Sequence, residues 1–222
     1  MANELLSANQ TEEDPDAASR MVSVAVAKVI CNIDSLGQGR VQVSIPWLPG
    51  FEPWARVATM MGGTGRGTFF IPQINDEVLV AFNQGDIHEP YVIGSLWSTI
   101  DRPPALLPTD AVNKRVIRTP LGHEIEFDDL TQKLKITSTT QQSVTLGPTG
   151  IEISAGALPP PARSTIKLDV LGNITLESKI SIKLDAPVIS INGKAVTIQG
   201  DATATVKAGG VCSINGGLVK IN

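Results

Sequence analysis

Four carboxylates crowd one short run: Glu124, Glu126, Asp128 and Asp129. Paired acids can cleave glycosidic bonds, one donating a proton and the other attacking or activating water. Here Glu124 and Glu126 alternate with Ile125 and Phe127, the pattern of a solvated strand face. The run Gly62-Gly63-Thr64-Gly65-Arg66-Gly67 has the glycine density of a phosphate loop. It lacks the Lys-Ser/Thr pair, and its flanks read as strands where a helix should follow. A hairpin turn accounts for it. His88 and His123 are the only histidines, and neither has a partner at ligand spacing. Cys31 and Cys212 form no motif and read as buried packing residues. No H-x-H pair or Cys/His cluster is present, so neither a metal nor any other cofactor is expected. Three copies of one residue could still gather around an ion on a symmetry axis, but no inward candidate stands out.

Composition narrows the classes further. The chain has 222 residues, 42% hydrophobic and only 18% charged. A surface so lightly charged suggests that much of it is covered by other protein. The net charge of −4 argues against a general nucleic-acid or anionic-membrane binder. Two cysteines far apart fit a reduced cytosolic product better than a disulfide scaffold. The first twenty residues, MANELLSANQTEEDPDAASR, lack the apolar core of a signal peptide. They carry five acids against Arg20 and so hold a charge equal to that of the whole chain. This acidic arm reads as a solvated tail or as a docking segment.

The elements that would position any site are strands. Residues 21–100 show alternating or apolar runs at Val22–Ile33, Arg40–Ile45, Trp54–Met60, Gly67–Ile71, Glu77–Phe82 and Tyr91–Leu96, separated by turn signals. Five or six short strands in eighty residues predict a small Greek-key barrel of the OB type. Eight of the nine aromatics lie between Trp47 and Trp97, which marks this region as one conventional core. OB folds often bind nucleic acid through basic residues interleaved with aromatics. Residues 21–100 set Lys28, Arg40, Arg56 and Arg66 against six acids, and the aromatics sit within strand patterns, mostly as core. Nucleic acid is therefore not an expected partner. Residues 101–114 hold three prolines and read as a stiff linker.

Residues 115–222 carry a repeat. Ile166, Ile174, Ile182, Ile198, Val206 and Ile214 share a spacing of eight, and Leu168, Leu176 and Leu184 follow two positions later. At the missing position Ser190 is flanked by Ile189 and Ile191, a slip of one. Ile136 and Val144 form a weaker, earlier instance. Ala155–Ser164 interrupts the pattern and reads as a loop. Each octad is one short strand and a turn, with Ile174 and Leu176 inward and Thr175 and Glu177 outward. One such strand cannot bury its apolar row alone, and repeat units gain a core only by stacking. A single-chain solenoid of these octads would be a stub of about two turns. Three chains wrapped around a common axis would make a long triangular prism, with strand edges paired between chains. The expected trimer core is Ile166, Ile174, Leu176, Ile182, Leu184, Ile191, Ile198, Val206 and Ile214. The apolar pattern continues through Leu218, Val219 and Ile221 to Asn222, and a prism ending this way would offer a three-fold patch for a docking partner.

The stretch WARVATMMGGTGRGTFFIPQINDEVLVAFNQGDIHEPYVIGSLW (Trp54–Trp97) resembles the OB-fold of phage baseplate assembly protein V and of the valine-glycine-repeat (VgrG) spikes. The family's elements stand at Gly63–Gly67, Phe70-Ile71-Pro72, Asp76–Phe82, Gly85-Asp86 and Pro90–Trp97. Thr119–Asp129 (TPLGHEIEFDD) is similar to the run that leads into the family's prism, and the octads resemble its valine-glycine repeats. The likeness covers about 200 of the 222 residues.

The resemblance implies an all-β homotrimer: an OB collar, then an intertwined triangular β-helix that acts as the piercing central spike of a contractile injection machine. It implies a separate tip protein of the proline-alanine-alanine-arginine repeat (PAAR) type on Leu218–Asn222, and tube-adaptor or hub proteins at the collar. The large tube-docking domain of VgrG proteins is not found before the OB region, so another chain is expected to supply that adaptor. The short linker leaves no space for an inserted lysozyme domain. The chain is expected to be made in the cytoplasm and built into a virion or particle baseplate. Two rival readings are a trimeric tail fibre or tailspike acting on surface polysaccharide, and a carrier spike for a non-covalent effector. The first would want a groove with exposed aromatics and acid pairs, and residues 115–222 offer one aromatic.

Overall fold

The computed structural model describes residues 24–105, 107–156 and 163–221. The acidic arm and Asn222 lie outside the described residues, as does most of the Ala155–Ser164 loop. The chain divides into two units, one essentially residues up to 139 and the other beginning at Thr140, with Thr145–Pro148 belonging to the first.

Strict alternation from Ala25 onward builds the barrel of the first unit. In β1 (Ala25–Cys31), Ala25, Ala27 and Val29 are buried while Val24 and Val26 face out. Val41 and Val43 do the same in β2 (Val41–Ser44), and Ala55 in β3 (Trp54–Val57). A two-residue pair, β4 (Gly62–Gly63) and β5 (Arg66–Gly67), interrupts the sequence. Val78, Val80 and Phe82 point inward from β6 (Glu77–Asn83), and Pro90 and Val92 from β7 (Asp86–Leu96). The barrel closes in the order β1-β2-β3-β7-β6, with only β3 and β7 parallel. Its register shifts at Val29/Cys31, Leu79/Val80 and Phe82/Asn83; such bulges bend strands enough to close a small barrel. At the β6–β7 hairpin Gln84 and Gly85 both take positive φ, 51° and 86°, the conformation a two-residue hairpin loop demands.

Three strand expectations differ from the structure, the first being Trp54–Met60, whose strand ends at Val57. Gly67–Ile71 is not a full strand, since pairing ends at Gly67. The last barrel strand begins at Asp86, five residues earlier than its apolar run suggested.

The core is aliphatic. Of the aromatics only Phe82 belongs to it; Trp47, Phe69, Phe70 and Trp97 are exposed. This corrects the expectation that the aromatic cluster is the core. A five-stranded barrel leaves room inside for Val, Ala and Ile, and wide rings are accommodated outside. There the Arg40 guanidinium lies 5.4 Å from the Trp54 ring centre and Arg56 lies 5.5 Å from that of Tyr91. One ground for setting nucleic acid aside is thereby removed; the other, four basic residues against six acids, stands.

Arg40 is also committed to Asp34. Its Nε and Nη2 donate to the two carboxylate oxygens at 3.1 and 2.9 Å, while the backbone N–H groups of Leu36, Gln38 and Arg40 donate to the same side chain. The Arg40 hydrogen bonds hold the Asp34 carboxyl far below its ordinary range, and the backbone donors reinforce them. Because the folded value is lowered, this contribution is complete above the ordinary value of 3.8 and fades as pH falls through the folded value. Asp34→Asn is expected to speed amide hydrogen exchange at Leu36, Gln38 and Arg40 at neutral pH. Unchanged protection at these three amides would show that the turn does not depend on the carboxylate.

A single helical turn, α1 (Asp110–Asn113), precedes β8 (Lys114–Arg118), β9 (Glu124–Asp128) and β10 (Lys133–Thr137), which form an antiparallel meander. After β11 (Ser143–Gly147), the second unit contains another meander: β12 (Gly150–Ala155), β13 (Ser164–Asp169) and β14 (Ile174–Glu177). The tight turns share one device. Asp128 accepts the N–H groups of Leu130 and Thr131, and Asp169 those of Leu171 and Asn173. Both carboxyls are held below their ordinary range, Asp128 chiefly by the Thr131 N–H and Asp169 chiefly by the Asn173 side chain.

No strand is assigned from Ser178 to Ile221, and nearly every residue there is exposed. The octads of this segment do not form strands within one chain. The reason is physical: an extended segment cannot bond its own N–H and C=O groups, and needs a neighbour on each side.

Candidate assembly interface

Cross-strand register makes both meanders two-faced. Residues directly opposite one another share a face. In the first meander Ile117, Ile125 and Ile136 form one row across β8, β9 and β10, and Phe127 faces Leu134 beside it. In the second, Ile151, Leu168 and Ile174 form one row, and Ile153, Ile166 and Leu176 the next. These apolar faces are open: Ile117, Phe127, Ile136, Ile153 and Ile166 are each 40–48% exposed, and Ile174 reaches 69%. The opposite faces are charged. Arg118 pairs with Glu124, Lys114 with Glu126 at 3.4 Å, and Glu152 with both Arg163 and Lys167. Glu152, Lys167 and Thr175 stand in one row there.

This arrangement gives three members of the acid run a structural partner. Glu124 and Glu126 are ion-paired, and Asp128 holds a turn. Glu126, then Asp110, keeps the Lys114 ammonium above its ordinary range. The acids share one face of β9 as their alternation suggested, but that face is ion-paired and Phe127 on the other face is the more exposed. The glycine run is the β4–β5 hairpin. His88 Nδ1 lies 3.0 Å from Asp86 Oδ1, and its ring meets Phe51 edge-on at 5.1 Å. Among the described residues no group of three or more Cys, His, Asp or Glu could hold a metal. The cysteines depart from expectation: Cys31 is half-buried at the end of β1, and Cys212 is exposed in the strand-free segment.

Of the expected core positions, Ile166 and Leu176 are brought opposite one another, and Ile174 meets Leu168. Ile182, Leu184, Ile191, Ile198, Val206 and Ile214 lie in the strand-free segment, 57–78% exposed. Leu218 and Ile221 are almost fully open at 87% and 88%, Val219 half so. The structure adds Ile117, Ile125, Ile151 and Ile153, whose two-residue alternation was the available signal, and sets the early octad residue Ile136 opposite Ile125.

Residues 25–97 match the type VI secretion system/phage-baseplate injector OB domain. Residues 114–197 match the phage baseplate V C-terminal trimerisation domain. The chain belongs to the phage baseplate V family. Within that family it is similar to the type VI secretion system spike protein VgrG2a of Pseudomonas aeruginosa, 31% identical over 106 residues, which are 43% of this chain and 13% of the relative. VgrG3 of Vibrio cholerae, also a type VI spike protein, is 32% identical over 102 residues, 41% of this chain and 10% of its own length. The actin cross-linking toxin VgrG1 of Vibrio cholerae is 33% identical over 109 residues, 44% of this chain and 10% of its own length. The chain thus matches about a tenth of the length of these relatives. Its trimerisation domain supports a homotrimer, and its family supports a spike role within an injection apparatus. Among the described residues no helix is long and apolar enough to cross a membrane.

Proposed function

We propose that three copies of this chain form the piercing central spike at the front of the inner tube of a contractile injection machine. The observation that carries this reading is the open apolar face of both meanders, continued by exposed octads through Ile214. Three chains wrapped around one axis into a triangular β-helix would cover these residues. Each Ile or Val buried in that way contributes about 1.5–3 kcal/mol. The wrapped chains would also supply each other's missing ladder partners between Ser178 and Ile221.

In this reading residues 1–20 are an arm, 21–100 a collar, 101–114 a linker and 115–222 the needle. The work is mechanical: dense hydrogen bonding and a continuous core resist bending while the spike is driven into an envelope. Leu218, Val219, Ile221 and Asn222 of three chains would seat a PAAR-type tip protein, and the collar would meet tube-adaptor or hub proteins. The assembled spike belongs in the baseplate of a virion or injection particle and has no catalytic role. Light scattering of the purified protein is expected to give three chain masses, with turnover on peptidoglycan and polysaccharide at background. A stable folded monomer would sink the proposal, as would hydrolysis lost on changing Glu124 or Asp128.

A further inference from the structure

The barrel bears an apolar surface of its own, apart from the octads. Between β3 and β6 the chain forms a finger, residues 58–71. The β4–β5 pairing sets Gly62 against Gly67 and Gly63 against Arg66. Gly67 sits at φ +146°, where a Cβ would stand 2.5 Å from the Met61 carbonyl oxygen, so the hairpin requires glycine there. Thr68 N–H donates to the Met61 carbonyl at 3.0 Å, and the Thr59 hydroxyl donates to the Thr68 carbonyl at 2.7 Å. The finger is therefore ordered by its own bonds. It presents Met60, Met61, Phe69 and Phe70 at 88, 54, 79 and 64% exposure. Beside it is a recess of about 520 Å³ whose far wall is the Gly37–Gly39 turn, held in place by Asp34. Leu36, next to that wall, is also exposed.

We propose that this finger joins the three collars of one spike, each copy's Met60 seating in the recess that Phe69 lines in the next copy. The inference rests on the trimer reading. A finger-into-recess contact is head-to-tail, and such contacts close into a ring when the rotation allows. Three-fold symmetry uses every finger and every recess once and leaves none open. The occupant is continuous with the trimerisation domain: sixteen residues separate the two matched regions. A link of that length reaches at most about 55 Å. At such tethering distances the local concentration of neighbouring barrels is on the order of millimolar. A modest apolar contact then suffices, and a preorganised finger loses little freedom in making it. Arg66 is the only charged residue of residues 58–71, so little charge is buried.

The test is a brief peroxide pulse on the full-length spike, with methionine oxidation read residue by residue and native mass measured in parallel. Met60 should oxidise at least roughly tenfold more slowly in the native protein than in the urea-unfolded chain, the factor expected when a reactive side chain opens only in a minor state. Phe69→Glu on the finger, or Leu36→Glu beside the far wall, should restore fast oxidation while the mass stays at three chains. Fast oxidation of Met60 in a wild-type trimer would overturn the collar contact and leave the trimer standing. Protection that survives both substitutions would overturn it too, as would protection seen only in intact particles, which would assign the finger to another baseplate protein. A one-chain mass would overturn the collar contact and the trimer together.

Discussion

Ile182→Asp and Val206→Asp are each expected to abolish the trimer, while Thr175→Asp leaves it intact. At an inward octad position the substitution gathers three carboxylates around one axis in an apolar surround. An unpaired buried charge costs several kcal/mol, and here the cost comes three times, with mutual repulsion added. Thr175 occupies the charged face of β14, opposite Lys167 in the ladder. A carboxylate there meets an ammonium group and stays in water, so a change within about 0.5 kcal/mol is expected. Sedimentation and thermal melting of the three variants decide the matter. Equal damage at all three positions would show that the assignment of faces is wrong.

The paired substitution Leu218→Glu and Ile221→Glu is expected to leave three chain masses unchanged and to eliminate capture of a tip protein. The two side chains are among the most exposed apolar groups of the described residues, so their replacement removes little buried surface. On three chains the change turns an apolar docking patch into six carboxylates. Binding through such a patch depends on apolar area freed from water, and charge at its centre reverses the sign of that contribution. Pull-down with a PAAR-type protein measures the outcome. Undiminished capture would remove these residues from the docking proposal.

Much of the barrel was legible because strand alternation is a local property. The runs Arg40–Ile45 and Glu77–Phe82 read as strands before any partner strand is known, and the barrel then buries Val41, Val43, Val78 and Val80 from them. The aromatics misled for a related reason. Trp54 and Tyr91 occupy strand positions, but their parity places them outside, where arginines cover them. Parity also explains Glu124 and Glu126: the alternation was visible, but only the register of β8 against β9 shows Arg118 and Lys114 beside them. The octad search found Ile166, Ile174 and Leu176 because they repeat at a fixed distance. It passed over Ile117 and Ile125, which are eight apart but out of phase with the later octads, and Ile151 and Ile153, since antiparallel hairpins join residues at distances that change with every rung. The Gly62–Gly67 hairpin was legible, but the exposure of Met60, Met61, Phe69 and Phe70 beside it was not, because it depends on where the barrel strands run.

The change at Glu177 divides the chain by molecularity. Up to that point each meander strand finds at least one ladder partner within its own polypeptide, a first-order process whatever the dilution. In the proposed trimer every ladder partner beyond it comes from another copy, so ordering the last forty-odd residues becomes a reaction between chains, with a rate that rises with concentration. The open apolar rows of the finished meanders offer a preformed template on which three such chains can meet in one register before their tails wind together. A half-built spike therefore differs from a finished one in a single respect: its exposed strand edges still accept any extended stranger.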